Sequence, residues 1–229
     1  MDDQVTWATE RRSFLTQLGL GAGIVGATLA GAPVAVAQNA GLAPWRSPRH
    51  TQDDWLEEIP GKHRVVFDTN TANGMELALR FALNYYFANR QSYQLNDSDL
   101  AVVIVARHKS TAFAYNDAMW SKYGKQLSEH ATFVDPASKE PPKVNFFNTA
   151  TAQSPALISL LIQRGAHFAV CQISTQTIAF NIARATDSEQ ARTVEELNAN
   201  LVSNAHPVTA GVVTVTRAQE RGYALVSAS

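Results

Sequence analysis

The chain has 229 residues, with 19 basic against 20 acidic side chains, 45% hydrophobic residues and one cysteine. That balance leaves no electrostatic footprint for nucleic acid, whose phosphates require clustered Lys and Arg. The apolar content excludes a disordered chain, and a lone cysteine excludes an internal disulfide framework and a cysteine-based zinc knuckle.

In chain order, residues 1–37 read as a targeting segment outside the fold. Arg11 and Arg12 precede Ser13, Phe14 and Leu15, a mild Gly/Ala-rich run extends from Leu18 to Ala32, and Ala35-Val36-Ala37 is a small-x-small cleavage signal. The run is shorter than the roughly 20 apolar residues a membrane span needs. The combination resembles a twin-arginine export signal. It predicts a folded client of the twin-arginine translocation machinery, cleaved near Ala37 and left in the periplasm with no stable membrane span. What remains is neutral, a poor match to a polybasic membrane binder, and its length suits one domain.

Residues 38–61 carry Pro, Gly and charge without a sustained period and read as an extended lead-in, with Trp45, Trp55, Leu56 and Ile59 as anchors to the body. Arg64 to Asp68 is a β-branched run, and Asn73 to Arg90 a long helical stretch with Asn73 as its cap. Leu100 to Ala106 (LAVVIVA) has no alternation, the pattern of a strand covered on both faces. A helix is predicted over 112–123. Residues 126–151 contain Pro136, Pro141 and Pro142 and no period, which predicts a lid or an irregular excursion. Helix returns from Pro155 to Arg164, stopped by Gly165, and His167 to Gln172 is the next strand. Helices follow at 175–185 and 194–203, then an extended piece near Val208, a helix from Val212 to Arg221, and a strand from Tyr223 to Ser227. Alternating strands and helices predict βαβ units, hence an α/β fold with a mostly parallel sheet between helical layers.

In such sheets ligands collect beyond the carboxyl ends of the strands, where helix N-termini present free N–H groups. The first strand ends at Asp68, Thr69 and Asn70, the second at Arg107, His108 and Lys109, and the third at Cys171 and Gln172. These ends nominate Cys171 and His108 as catalytic residues and Asp68, Asn70, Arg107, Lys109 and Gln172 as ligand-binding residues. A thiol facing a helix N-terminus beside cations is favoured as thiolate, against the alternative of a cysteine that fills a buried strand position. His108 reads either as a proton-transfer group or as a turn residue. His63 and His167 fall at strand starts, on the opposite edge, and His130 and His206 in or beside loops. No metal-ligand spacing, dinucleotide fingerprint or Walker loop is present, so neither a metal nor another cofactor is expected. The first long helix is apolar over a wide arc, which predicts burial on more than one side, either at a subunit interface or under the 126–151 excursion.

The stretches HRVVFDT at 63–69, VVIVARHKSTAFAYNDAMWSKY at 102–123, RGAHFAVCQIS at 164–174 and AGVVTVTRAQERGYALV at 210–226 together resemble the DsrE/DsrF-like family, in its exported branch with a twin-arginine leader. The resemblance implies a domain over 62–229, a three-layer sandwich around a five-stranded, mainly parallel sheet of flavodoxin/Rossmann-like architecture, and assembly into homo-oligomers. Cytoplasmic relatives pass sulfur as a cysteine persulfide, and by position Cys171 matches their acceptor. This implies a sulfur-relay or thiol-dependent protein with a donor or acceptor protein as partner. Two other functions stay open: a non-catalytic oligomeric module that binds a small ligand at the strand ends under the 126–151 loop, and an enzyme using Asp68 and His108 as an acid–base pair.

Overall fold

The structure is a computed structural model that describes residues 46–151 and 154–228, so the export signal and Trp45 lie outside the described residues. Five strands, β1 (His63–Thr69), β2 (Leu100–Ala106), β3 (His167–Cys171), β4 (Ala205–Val208) and β5 (Ala224–Ala228), form one all-parallel sheet in the order β4-β3-β2-β1-β5. The unalternating run of β2 is buried along its whole length, as its interior place in a sheet covered on both faces requires.

Seven α-helices accompany the strands among the described residues: α1 (Trp55–Glu58), α2 (Ala72–Tyr93), α3 (Asp117–Ala131), α4 (Leu157–Gln163), α5 (Gln172–Thr186), α6 (Gln190–Ala199) and α7 (Gly211–Glu220). Period-two alternation divides the sheet between two cores. Val65, Phe67, Val102, Ile104, Phe168 and Val170 meet α2 to α6, whereas Val66, Ala101, Val103, Val105 and Ala169 meet α1 and α7. The chain steps from β1 to the β4 edge with its helices on one face, then returns through α7 on the other face to β5. Reversing the direction of travel places the helix on the opposite face when crossovers keep one hand. The result is a three-layer α/β sandwich.

Several boundaries differ from the sequence reading, each for a local reason. Thr71, not Asn73, caps α2, because its backbone is extended and its Oγ1 accepts the Gly74 N–H at 2.9 Å. The stretch predicted as helix over 112–123 is split. His108–Ala114 is a 3-10 segment and Tyr115 is extended, then Asn116 starts α3 by accepting the Met119 N–H. Helix α3 then continues to Ala131, so residues 126–131 are not loop. The rest of the excursion is not a free lid. Asn145 is fully buried and donates through Nδ2 to the carbonyls of Phe113 and Tyr115, both at 2.8 Å, and Phe133 and Phe147 pack on Phe113 with Phe146 against both of them. Helix α6 runs four residues earlier than predicted, over 190–199. In the lead-in, Leu56 and Ile59 are buried under the sheet as anticipated, with Arg64 donating to both of their carbonyls and Tyr223 Oη to that of Leu56.

Candidate functional site

Strand ends converge at the carboxyl edge, and side-chain parity decides which residues meet there. Asp68, Arg107 and Cys171 share the parity of Val66, Val105 and Ala169, so all three belong to the α7 face. Asp68 and Arg107 form a bidentate pair, with Nε donating to Oδ1 at 2.7 Å and Nη2 to Oδ2 at 2.8 Å. This fork geometry is specific to arginine. The Asp68 hydrogen bond holds the guanidinium above its ordinary pKa against the opposing cost of burial, and the Asp68 and Cys171 charges add to it. The Arg107 backbone is fixed as well, since Ser110 Oγ accepts its N–H at 3.0 Å and lies 2.8 Å from Thr69 Oγ1.

Gly211 closes this corner. A Cβ at that position would sit 2.6 Å from Arg107 Cβ and 3.1 Å from Val105 Cγ1, so a glycine is what allows the first turn of α7 to rest on Arg107. No side chain caps that turn. Cys171 ends β3 and stands at the N-cap position of α5, its carbonyl accepting from Thr175 Oγ1 at 3.1 Å. The residue is 6% exposed. No side chain caps α5, and Arg107 feels the Cys171 charge as a minor contribution.

The remaining sequence candidates are held differently. His108 adopts φ 54°, a left-handed conformation uncommon outside glycine. Its N–H donates to Ser174 Oγ at 2.8 Å, and its carbonyl accepts from His130 Nε2 at 3.0 Å, so α5 and α3 fix its backbone while the residue stays exposed. Burial lowers the pKa of His130. The Lys109 N–H donates to the Asn70 carbonyl, and Asn70 Oδ1 is buried with no partner. Gln172 and Asn198 exchange amide hydrogen bonds of 2.9 and 3.0 Å, which ties α5 to α6. Asp68 is committed to Arg107, so the Asp68–His108 acid–base pair has no support in this geometry. Ser110 and Ser174 are visible in the sequence as residues that open the segments after two of these strands, but neither they nor Gly211 is among the site residues it nominates.

One surface cleft of about 480 Å³ opens between α3 and α5, lined by Gln126, Glu129, His130, Asn181 and Arg184. Among the described residues no group of three or more His, Cys, Asp or Glu side chains is placed to hold a metal ion, and no helix is long and apolar enough to cross a membrane.

No model of a known protein family matches the chain, and no curated protein matches it in sequence. Among solved structures it is similar to MTH1491 from Methanobacterium thermoautotrophicum, a protein of unknown function. The match has 16% identity and a TM-score of 0.38, and covers 72% of this chain and 99% of that one.

Proposed function

We propose that this chain is an exported, DsrE-like thiol protein that carries sulfur on Cys171. The observation that carries the reading is the neighbourhood of Cys171 at the strand edge: the Asp68-braced Arg107 acts on it electrostatically, and it stands where α5 begins. In the reaction the Cys171 proton passes to solvent, and the thiolate attacks the outer sulfur of a persulfide or polysulfide donor. The donor S–S bond breaks, the donor thiolate leaves, and Cys171 becomes a persulfide. An acceptor thiolate then takes the outer sulfur by the same exchange, with no net redox change.

Assembly of several copies belongs to the same reading, supported by Ile173, Val212 and Val213, exposed by 63%, 56% and 41% in the first turns of α5 and α7. A monomer of the full chain in sedimentation would contradict that part. Export rests on Arg11, Arg12 and the Ala35-Val36-Ala37 signal, and is tested by whether the leader directs a reporter to the periplasm.

The 6% exposure of Cys171 favours a second reading, a non-catalytic module for a small ligand, for which the cleft between α3 and α5 offers space. Labelling of the folded chain with a thiol reagent separates the two. The sulfur reading expects labelling without denaturant, slowed about tenfold by Arg107→Gln as the favourable charge is lost. Labelling only in denaturant leaves the binding module.

A further inference from the structure

Two histidines far apart in sequence meet at the amino end of the sheet. His206 in β4 is registered with Ala169 in β3, and His167 lies two residues before Ala169, so both belong to the α7 face. Nδ1 of His167 and Nε2 of His206 are 2.9 Å apart. The rings are nearly coplanar, with an interplanar angle of 26° and centroids 5.1 Å apart. That centroid distance matches the nitrogen separation plus the two centroid-to-nitrogen radii, so the nitrogens lie on the line joining the rings and face each other head-on.

Such an arrangement is an N–H···N hydrogen bond, in which one imidazole must donate and the other accept. A metal ion on the same line would need the nitrogens about 4 Å apart, two bonds of roughly 2.0 Å each. The pair is therefore a site for one shared proton. Trp55 completes it, stacked on His206 with centroids 4.0 Å apart and planes 11° apart. Trp55 opens α1, whose Leu56 and neighbouring Ile59 plug the thinner core of the sheet.

We propose that the His167–His206 hydrogen bond is a proton-operated latch for the lead-in: while at least one ring is neutral, a proton is shared between the facing nitrogens and the pair supports Trp55 and α1, and protonation of both rings drives them apart and loosens Trp55 and α1. One proton taken from solvent makes one ring an imidazolium that still donates to the neutral ring, whereas a further proton on that ring leaves two donors with no acceptor and sets two cations side by side. Burial, with the His167 charge adding, pushes His206 down to about 4, and burial lowers His167 too, so the doubly charged pair forms only in acid. Charged groups on the surrounding elements are engaged elsewhere. Arg217 of α7 faces Asp53 and Glu220, Arg221 faces Glu57 and Asp54, Arg49 also faces Glu57, and Arg64 of β1 holds the Leu56 and Ile59 carbonyls. Glu58 of α1, Lys62 and His63 are exposed.

The test is a pH titration of the full chain labelled with nitrogen-15, following the histidine ring nitrogens and the tryptophan indole signals by NMR. The latch predicts one donor and one acceptor nitrogen in the pair at neutral pH and protonation of His206 well below 6.5. The Trp55 indole then moves at the His206 midpoint, while the indole of Trp120, fully buried in the other core, stays in place. In His206→Phe, which keeps an aromatic surface under Trp55, that movement disappears. Four results overturn the proposal: His206 titrating at 6.5, Trp55 unmoved through the protonation, Trp55 and Trp120 moving together, or full movement of Trp55 in His206→Phe. The last would assign the effect to Asp53, Asp54 or Glu57. If the Phe variant does not fold, the wild-type titration decides alone through the first three.

Discussion

Asp68 and Arg107 brace each other at an edge where an unpaired charge is costly, since the two side chains are 15% and 24% exposed. Asp68→Asn keeps the shape, removes the charge and leaves the guanidinium short of a counterion. A loss of about 1–3 kcal/mol is expected in urea unfolding, and an unchanged midpoint would mean the pair is only a surface contact. His206 gives a pH-dependent prediction. Its folded pKa of about 4 lies below the ordinary 6.5, so the unfolded chain takes up the proton first. The stability it contributes is complete above about pH 6.5 and is lost as pH falls from there toward 4. Wild type should therefore lose more stability than His206→Phe between about pH 7 and pH 4.5. Equal losses would remove His206 from the pH response. At this scale the sequence is informative about strand-end residues and uninformative about pairs. Asp68, Arg107 and Cys171 are visible because each follows an apolar run, but which of them touch depends on register and parity across three strands. His167 and His206 are 39 positions apart, and no local pattern joins them.

Among the elements, α7 and the 132–151 loop position the rest. Gly211→Ala forces a methyl group against Arg107 Cβ, and α7 must tilt or the arginine must move. Overpacking of this kind costs about 2 kcal/mol, a fall of about 4–8 °C in Tm. Wild-type Tm in that variant would show that the corner has room to relax. Asn145→Ala removes two hydrogen bonds from buried carbonyls and should cost about 2–4 kcal/mol, read by urea unfolding. It should also make the 132–151 loop a site of early proteolysis. A variant as stable and protease-resistant as wild type would mean that the aromatic cluster alone holds the loop. Strand runs and most helices are legible because burial on both faces imposes unbroken apolar runs and burial on one face imposes helical periods. The loop is not legible, because its order comes from one buried amide and two phenylalanines, Phe133 and Phe147, that find Phe113 only in the folded chain. Helix caps mislead by a residue or two for a similar reason: Thr71 and Asn73 are both acceptable cap types, and backbone geometry chooses between them.

For the whole molecule, the direction of the crossovers makes one face thick, with five helices, and the other thin, with α7 and the short α1. The thin face carries both features on which function is argued, the thiol corner at the carboxyl edge and the histidine pair at the amino end. Alternation of strands and helices made the α/β sandwich readable from sequence. The thin face was not readable, because it depends on β5 returning past β1 to the far edge. The most direct measurement of the central claim is the mass of the folded full chain after exposure to a polysulfide donor. Reductant-reversible additions of about 32 Da, one sulfur atom each, that appear in wild type and vanish in Cys171→Ser are the predicted result. A folded wild-type chain that takes up no sulfur, or a serine variant that takes up as much, would contradict it.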